Sequence, residues 1–489
     1  VTESDPKTWK TLDKDLGRIG ALEQATQFAA RPLVAPGLAL IFMGLVGIIA
    51  AVFLGQQPLG FVVVAAAVFG AYMALNIGAN DVANNMGPAV GGRALTIGGA
   101  LVIAAVCETA GALLAGGDVV GTVSRGIIAP ESVAGRQVFV WAMMAALMAA
   151  ALWINLATWL GAPVSTTHSV VGGVMGAGIA AAGLAAVNWP TMAAIVASWV
   201  ISPAMGGVFA ALFLAFVKTR VIYRDDKIAA ARTWVPVLVG IMAGAFAVYM
   251  AIKGLKRIVD VGIGPALLIG LALAILTTLV MRPVIRRQSE GMENRKRSLK
   301  ALFSIPLVFA AALLSFAHGA NDVANAVGPL AAIVHAVQAG DATTSGVEIP
   351  LWVMAIGAFG LSVGLILFGP KLIRMVGSEI TRLNPMRAYC VALSAAITVI
   401  IASWLGLPVS STHIAVGGVF GVGFFREWYA EAIRKKNRNG SDLPVEERAR
   451  RKLVRRSHMM TVMAAWVITV PATALLSGGL FLLLNLITL

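Results

Sequence analysis

The sequence predicts an all-α polytopic membrane protein: two inverted repeats with broken or re-entrant helices, about 11 to 12 transmembrane segments in all. Three observations predict it. First, hydrophobic residues make up 58% of the 489 and charged residues only 12%, against about 25% charged in an ordinary soluble chain. Second, the heptapeptide GANDVAN occurs at Gly78–Asn84 and again at Gly319–Asn325, and Pro163–His168 (PVSTTH) is answered by Pro408–His413 (PVSSTH). The offsets, 319 − 78 = 241 and 408 − 163 = 245, preserve both order and spacing. Third, basic clusters alternate with uncharged connections along the chain.

Apolar spans run near 33–54, 59–77, 94–116, 138–160, 191–217, 234–252, 261–281, 301–317, 351–369, 387–405 and 459–486. Each is long enough for a membrane helix, and the ten-residue alternating segments of a transmembrane barrel do not occur. The GANDVAN motifs close two of these spans, and a helix break there would release backbone carbonyls as ligands. Between them and the later spans lie 163–183 and 408–424, short, Gly-rich and each opening on Pro, a residue favoured in a first helical turn. With Gly172-Gly173 and Gly417-Gly418 inside them, both read as broken or re-entrant helices. Irregular backbone at that depth must face protein or a watery cavity.

Orientation follows from the basic residues. Clusters at 218–232, 282–300 and 426–457 mark cytoplasmic loops by the positive-inside rule. The second GANDVAN span follows a basic loop, whereas the first follows uncharged Gly55–Gly60; the two PVS segments differ in the same way in what comes after them. Trp199 through Pro203 is echoed by Trp466 through Pro471. Corresponding helices therefore enter from opposite faces.

The expected organisation has five parts. Residues 1–32 form a cytoplasmic tail, 33–58 an extra transmembrane helix, and 59–217 the first repeat. Residues 218–298 hold basic loops and an inserted helix pair near 234–281, and 299–489 the second repeat, including the basic loop 426–457. The N-terminus falls inside a plasma (inner) membrane and the C-terminus outside. Residues 253–260, with Lys253, Lys256 and Arg257, fall outside against the rule. The net charge of +15 is spread over these loops, with no compact basic domain for nucleic acid. Cys107 and Cys390 sit within apolar spans without metal or disulfide spacing, and no GxxxxGK[ST] phosphate loop occurs.

Ionisable groups at membrane depth are costly and mark ion or substrate paths. Asp81 and Asp322, with Asn80, Asn84, Asn321 and Asn325, offer hard oxygen ligands suited to Na⁺ or a proton. Asp81 and Asn84 stand three apart, near one helical face. Glu108, alone on an apolar span, is a further cation or proton ligand. Ser165, Thr166, Thr167, Ser410, Ser411 and Thr412 place hydroxyls beside the unpaired N–H groups of helix starts, an anion site without fixed positive charge. His168 and His413 end these motifs and brace their helices. Arg93 marks a helix end, and Glu379 and Arg382 a break near Asn384-Pro385. The bland alternatives are helix caps for the Asp/Asn sets and interhelical packing for the hydroxyls; entire repetition of both motifs favours a site.

At GANDVANNMGPAVG (78–91), HGANDVANAVGP (318–329), LGAPVSTTH (160–168) and LGLPVSSTH (405–413) the chain resembles the inorganic phosphate transporter family of cation-coupled phosphate permeases. The resemblance covers roughly 60–217 and 299–486. It implies phosphate symport with a cation on an inverted-repeat scaffold, often as a homodimer, with no cofactor beyond the co-transported Na⁺ or H⁺. It carries cation and phosphate roles onto Asp81, Asn84, Asp322 and Asn325, and equally onto the six Ser/Thr residues. Phosphate is then assigned to the hydroxyls with Asn84 and Asn325, and the cation to Asp81, Asp322, Asn80, Asn321 and Glu108, with Na⁺ favoured over H⁺ at the two Asp. Ala392 stands where relatives often carry an acid answering Glu108. A sulfate permease is the alternative within the architecture. An intramembrane hydrolase using Ser165, His168 and Asp81 is remote, because an enzyme needs one such set and the chain has two; no catalytic residue is assigned.

Overall fold

The structure is a computed structural model describing residues 33–488 except 54, 56–58, 129–131, 134, 161–163, 255–258, 339–348, 376–383 and 438–455. The expected tail, Pro163, Lys256, Arg257, Glu379, Arg382 and most of the basic loop after 437 lie outside the described residues. Among the described residues thirteen long helices follow one another: α1 Leu33–Phe53, α2 Gly60–Gly91, α3 Ile97–Ala115, α4 Arg136–Leu160, α5 Thr166–Ala182, α6 Trp189–Val217, α7 Lys227–Tyr249, α8 Ile263–Gln288, α9 Ser304–Gln338, α10 Leu351–Met375, α11 Pro385–Trp404, α12 Ser411–Asn437 and α13 Arg456–Thr488. Among the described residues, eleven helices are long and apolar enough to cross a membrane; α5 and α12, which carry the hydroxyl motifs, are not among them. The protein is a polytopic helical membrane protein.

Four expectations need correction. The GANDVAN motifs do not close helices. α2 and α9 run unbroken through both, because Ala, Asn and Val within the motif are tolerated in a helix whose faces are packed on every side. The Gly-Gly pairs do not break α5 or α12 either. Nor does Pro408 start a helix, since α12 begins three residues later at Ser411. The expected loop at 426 is also helical as far as Asn437. Arg93 does lie just past the end of α2, in the left-handed region with φ 59°. Lys253, on the side that should lack basic residues, is ion-paired with Asp118.

The two sets of helices exchange partners. α2 packs on α10 and α9 on α3; α5 packs on α13 and α12 on α6. The inner contacts α2–α4 and α9–α11 match in the same way, while α7 and α8 pack chiefly on each other. Glycine makes each exchanged contact close. A side chain at Gly78 would strike the backbone of Leu361 in α10, and one at Gly319 the backbone of Glu108 in α3. Gly364 and Gly111 return the approach onto Leu75 and Phe316. Gly172 and Gly176 lie against Val470 and Ala474, as Gly417 and Gly421 lie against Pro203 and Gly207. Small residues that admit a neighbouring backbone are the usual device of membrane helix packing. What looked like helix breaks in the sequence are docking faces.

Gly319→Val should therefore lower thermal stability by an amount equivalent to about 2 kcal/mol or more, whereas Gly98→Val, with open space around it, should be neutral. Thermal aggregation of the purified chain followed by size-exclusion chromatography checks this. Equal midpoints for the two variants would contradict the packing argument.

Candidate functional site

The exchange carries the two Asp motifs and the two hydroxyl motifs to one buried place. Asp81, Asp322 and Glu108 are each at most 2% exposed. They converge on a fourth buried residue, His318, in the turn before the second GANDVAN. Its Nε2 lies 2.9 Å from Asp322 Oδ2 and 3.7 Å from Asp81 Oδ2, and its Nδ1 lies 3.2 Å from Glu108 Oε1. Asn85 donates from Nδ2 to the same Glu108 oxygen at 3.0 Å. Three carboxylates around one imidazole leave an excess of negative charge even with the ring protonated. Buried charge of that kind demands a counter-ion or a shared proton.

Ligand atoms of Asp81, His318 and Asp322 lie within 4.8 Å of one another, a spacing that one metal cation could span. Several buried oxygens nearby, Glu108 Oε2, Asp322 Oδ1, Asn85 Oδ1 and Asn325 Oδ1, accept no hydrogen bond from the described residues. Proline supplies two more. Pro88 and Pro329 sit inside α2 and α9 and carry no N–H, so the carbonyls of Asn84 and Asn325 four residues earlier have no helical donor. Carbonyls are thus freed without any break in the helix.

The hydroxyl motifs interlock with this centre. Thr166 Oγ1 donates to Asp81 Oδ2 at 3.3 Å, and Ser411 Oγ to Asp322 Oδ2 at 3.4 Å, one contact within each half. Across halves, Asn84 Nδ2 donates to Thr412 Oγ1 at 2.8 Å and Asn325 Nδ2 to Thr167 Oγ1 at 3.0 Å. Thr412 Oγ1 donates to Asp81 Oδ1 at 3.0 Å, whereas Thr167 Oγ1 donates to the Val409 carbonyl. Ser165 caps α5 by accepting from the His168 N–H, and Ser410 does the same for the His413 N–H. Each capping hydroxyl keeps its own proton for another acceptor. The helix starts at Thr166 and Ser411 present the unpaired N–H groups and positive dipole ends that favour an anion.

Some predicted residues are engaged otherwise. Asn321 is tied to the segment leading into α12: it donates to Ser403 Oγ and the Leu407 carbonyl and accepts from Val409 N–H. Asn80 is half-buried on α2, away from the contacts described above. His168 and His413 meet edge to face with ring centres 4.7 Å apart, each also against a tryptophan, Trp199 at 3.9 Å and Trp466 at 3.6 Å. They join the two hydroxyl helices to α6 and α13.

Sequence reasoning passed over His318 and Asn85. The available signal was where the repeats differ. His318 stands before the second GANDVAN and Ile77 before the first. The residue answering Glu108 is Leu361 on α10, the one that meets Gly78 as Glu108 meets Gly319. Ala392 lies on α11, the counterpart of α4, and does not answer Glu108. The α9–α3 contact therefore holds His318 with Glu108 where the α2–α10 contact holds Ile77 and Leu361, both buried.

Residues 77–477 match the model of the phosphate transporter family. A protein of Helicobacter pylori named "Putative phosphate permease" is 44% identical, over 97% of this chain and 99% of its own. One of the same description from Pyrococcus abyssi is 35% identical over 85% of this chain and 96% of its own. A solved structure, "The sodium-dependent phosphate transporter", superposes with a TM-score of 0.79 at 33% identity, covering 87% of this chain and all of that one. The chain belongs to the phosphate transporter family.

Proposed function

We propose that the protein is a secondary active transporter importing inorganic phosphate by symport with Na⁺ through alternating access. The observation that carries this reading is the contact between the hydroxyl-bearing helix starts and the carboxylates around His318. The Thr166, Ser411 and Thr412 hydroxyls donate to Asp81 and Asp322. A cation held by those carboxylates draws their electron density away and releases the hydroxyls. They then donate to a phosphate seated at the starts of α5 and α12, together with the N–H groups there. Cation and anion thereby favour each other's binding, and a carrier loaded with only one is disfavoured in crossing. The inverted-repeat reading, with the N-terminus cytoplasmic and the C-terminus outside the plasma membrane, supplies two related arrangements for the exchange of access.

Na⁺ is favoured by the Asp and Asn oxygens and by the likeness to a transporter described as sodium-dependent. His318 supports a second reading, in which a proton shared among His318, Asp81, Asp322 and Glu108 drives uptake. Radiolabelled phosphate uptake into proteoliposomes, under an imposed Na⁺ gradient or an imposed pH gradient, separates the two. We expect uptake under the Na⁺ gradient alone; uptake under the pH gradient alone would replace Na⁺ by H⁺ at the same residues.

Asp81→Asn and Asp322→Asn should each cut Na⁺-driven uptake by two orders of magnitude or more while the protein is still recovered monodisperse. Uptake at the unsubstituted rate in either variant would remove both residues from the coupling site. His318→Ile should destabilise the chain by about 3 to 5 kcal/mol, because it strands buried carboxylates. Adding Glu108→Leu, which copies the apolar pair Ile77 and Leu361 of the α2–α10 contact, should restore much of that stability without restoring uptake. Thermal unfolding of the two variants reads the difference, and additive losses would disprove the pairing.

A further inference from the structure

Helix α13 does not close on the packed pair α6 and α12. They leave an apolar groove of about 950 Å³, walled by Trp199, Val208, Phe420, Phe424, Trp428 and Trp466. One end reaches His168 beside the hydroxyl motif; α6 and α12 then run along it together to Phe425. At that end three cations gather. Lys218 lies over the rings of Phe425 and Tyr429, at 5.0 Å and 4.2 Å from their centres. Arg426 of α12 and Arg387 of α11 are within electrostatic reach of Lys218 and of each other. All three are partly buried, and none forms an ion pair with an acid among the described residues. Like charges held together at the edge of an apolar groove call for an anion that also carries hydrocarbon.

We propose that this groove is a binding site for an anionic glycerophospholipid, its phosphodiester on Lys218, Arg387 and Arg426 and an acyl chain between α6, α12 and α13. Basic pockets between transmembrane helices bind anionic lipid head groups by this physics. A neutral lipid would fill the groove and leave three repelling cations. Free phosphate would answer the cations and leave the groove. The chain's own segment 438–455 is rich in Arg and matches neither the charge nor the apolar wall. The site is separate from the transport centre, so it stands whether or not the coupling ion is Na⁺.

The test uses the purified full chain equilibrated with equimolar palmitoyl-oleoyl phosphatidylglycerol and phosphatidylcholine, with retained lipid read by native mass spectrometry. Phosphatidylglycerol should be retained preferentially, one molecule per chain, and millimolar inorganic phosphate should not displace it. Lys218→Gln combined with Arg426→Gln should lower its retention about ten-fold or more; Lys218→Arg with Arg426→Lys should retain it. Ala204→Phe, from an exposed position lining the groove, should also lower retention while leaving the thermal midpoint unchanged. Equal retention of the two lipids by the unsubstituted chain would overturn the proposal even if a variant failed to fold. So would displacement by phosphate, unchanged retention in the folded variants, or a lipid-free dimer cross-linked through Ala204→Cys.

Discussion

Three buried carboxylates share one imidazole, and the protein must be built so that this is tolerable. Desolvating a single unpaired carboxylate costs several kcal/mol even after relaxation, so Asp81, Asp322 and Glu108 cannot merely be accommodated. Their partners come from everywhere in the bundle: His318 from α9, Asn85 from α2, Thr166 from α5, Ser411 and Thr412 from α12. No helix supplies both an acid and all of its partners. The helices must therefore meet closely, which is why glycine stands at each exchanged contact.

That closeness joins the fold to the chemistry. Gly319 brings α9 onto the backbone of Glu108 itself, so the contact that packs two helices also seats an acid beside His318. On the opposite side, Gly78 meets Leu361, and the same packing yields only an apolar junction. The two contacts are packed alike, and one of them holds charge. The hydroxyl motifs stay nearly equivalent, with Thr412 bound to Asp81 while Thr167 turns to a backbone carbonyl. The site has the symmetry of the scaffold in its anion-binding part and departs from it in its cation-binding part.

Much of this was legible in the sequence. Charge-poor runs locate most of the spans to within a few residues, since hydrocarbon thickness sets helix length, but α2 and α9 run on well past the expected ends at 77 and 317. The repeated motifs identify Asp81, Asp322 and the hydroxyl clusters because acids are expensive in lipid and both motifs recur in the same order and at nearly the same spacing. Helix continuity was not legible. Gly, Asn and Pro signal breaks in water, but close packing overrides propensity, and Pro88 and Pro329 lie within helices. His318 was hidden for another reason: attention to what the repeats share passes over the place where they differ. The pairing of His318 with Glu108 joins residues far apart in sequence, and nothing local to either announces it.

The order in which the chain is made gives Glu108 a difficulty of its own. α3 emerges and must enter the bilayer long before His318 has been synthesised, and a charged residue at the centre of a helix opposes insertion by about 3 kcal/mol. α3 is apolar enough around Glu108, with mean hydropathy of 1.9 in its best window, to insert regardless. Asn85, on the helix just before it, is the one partner of that acid already present. This early asparagine gives the acid its first neighbour in the membrane, an interim contact formed while the histidine is still unmade.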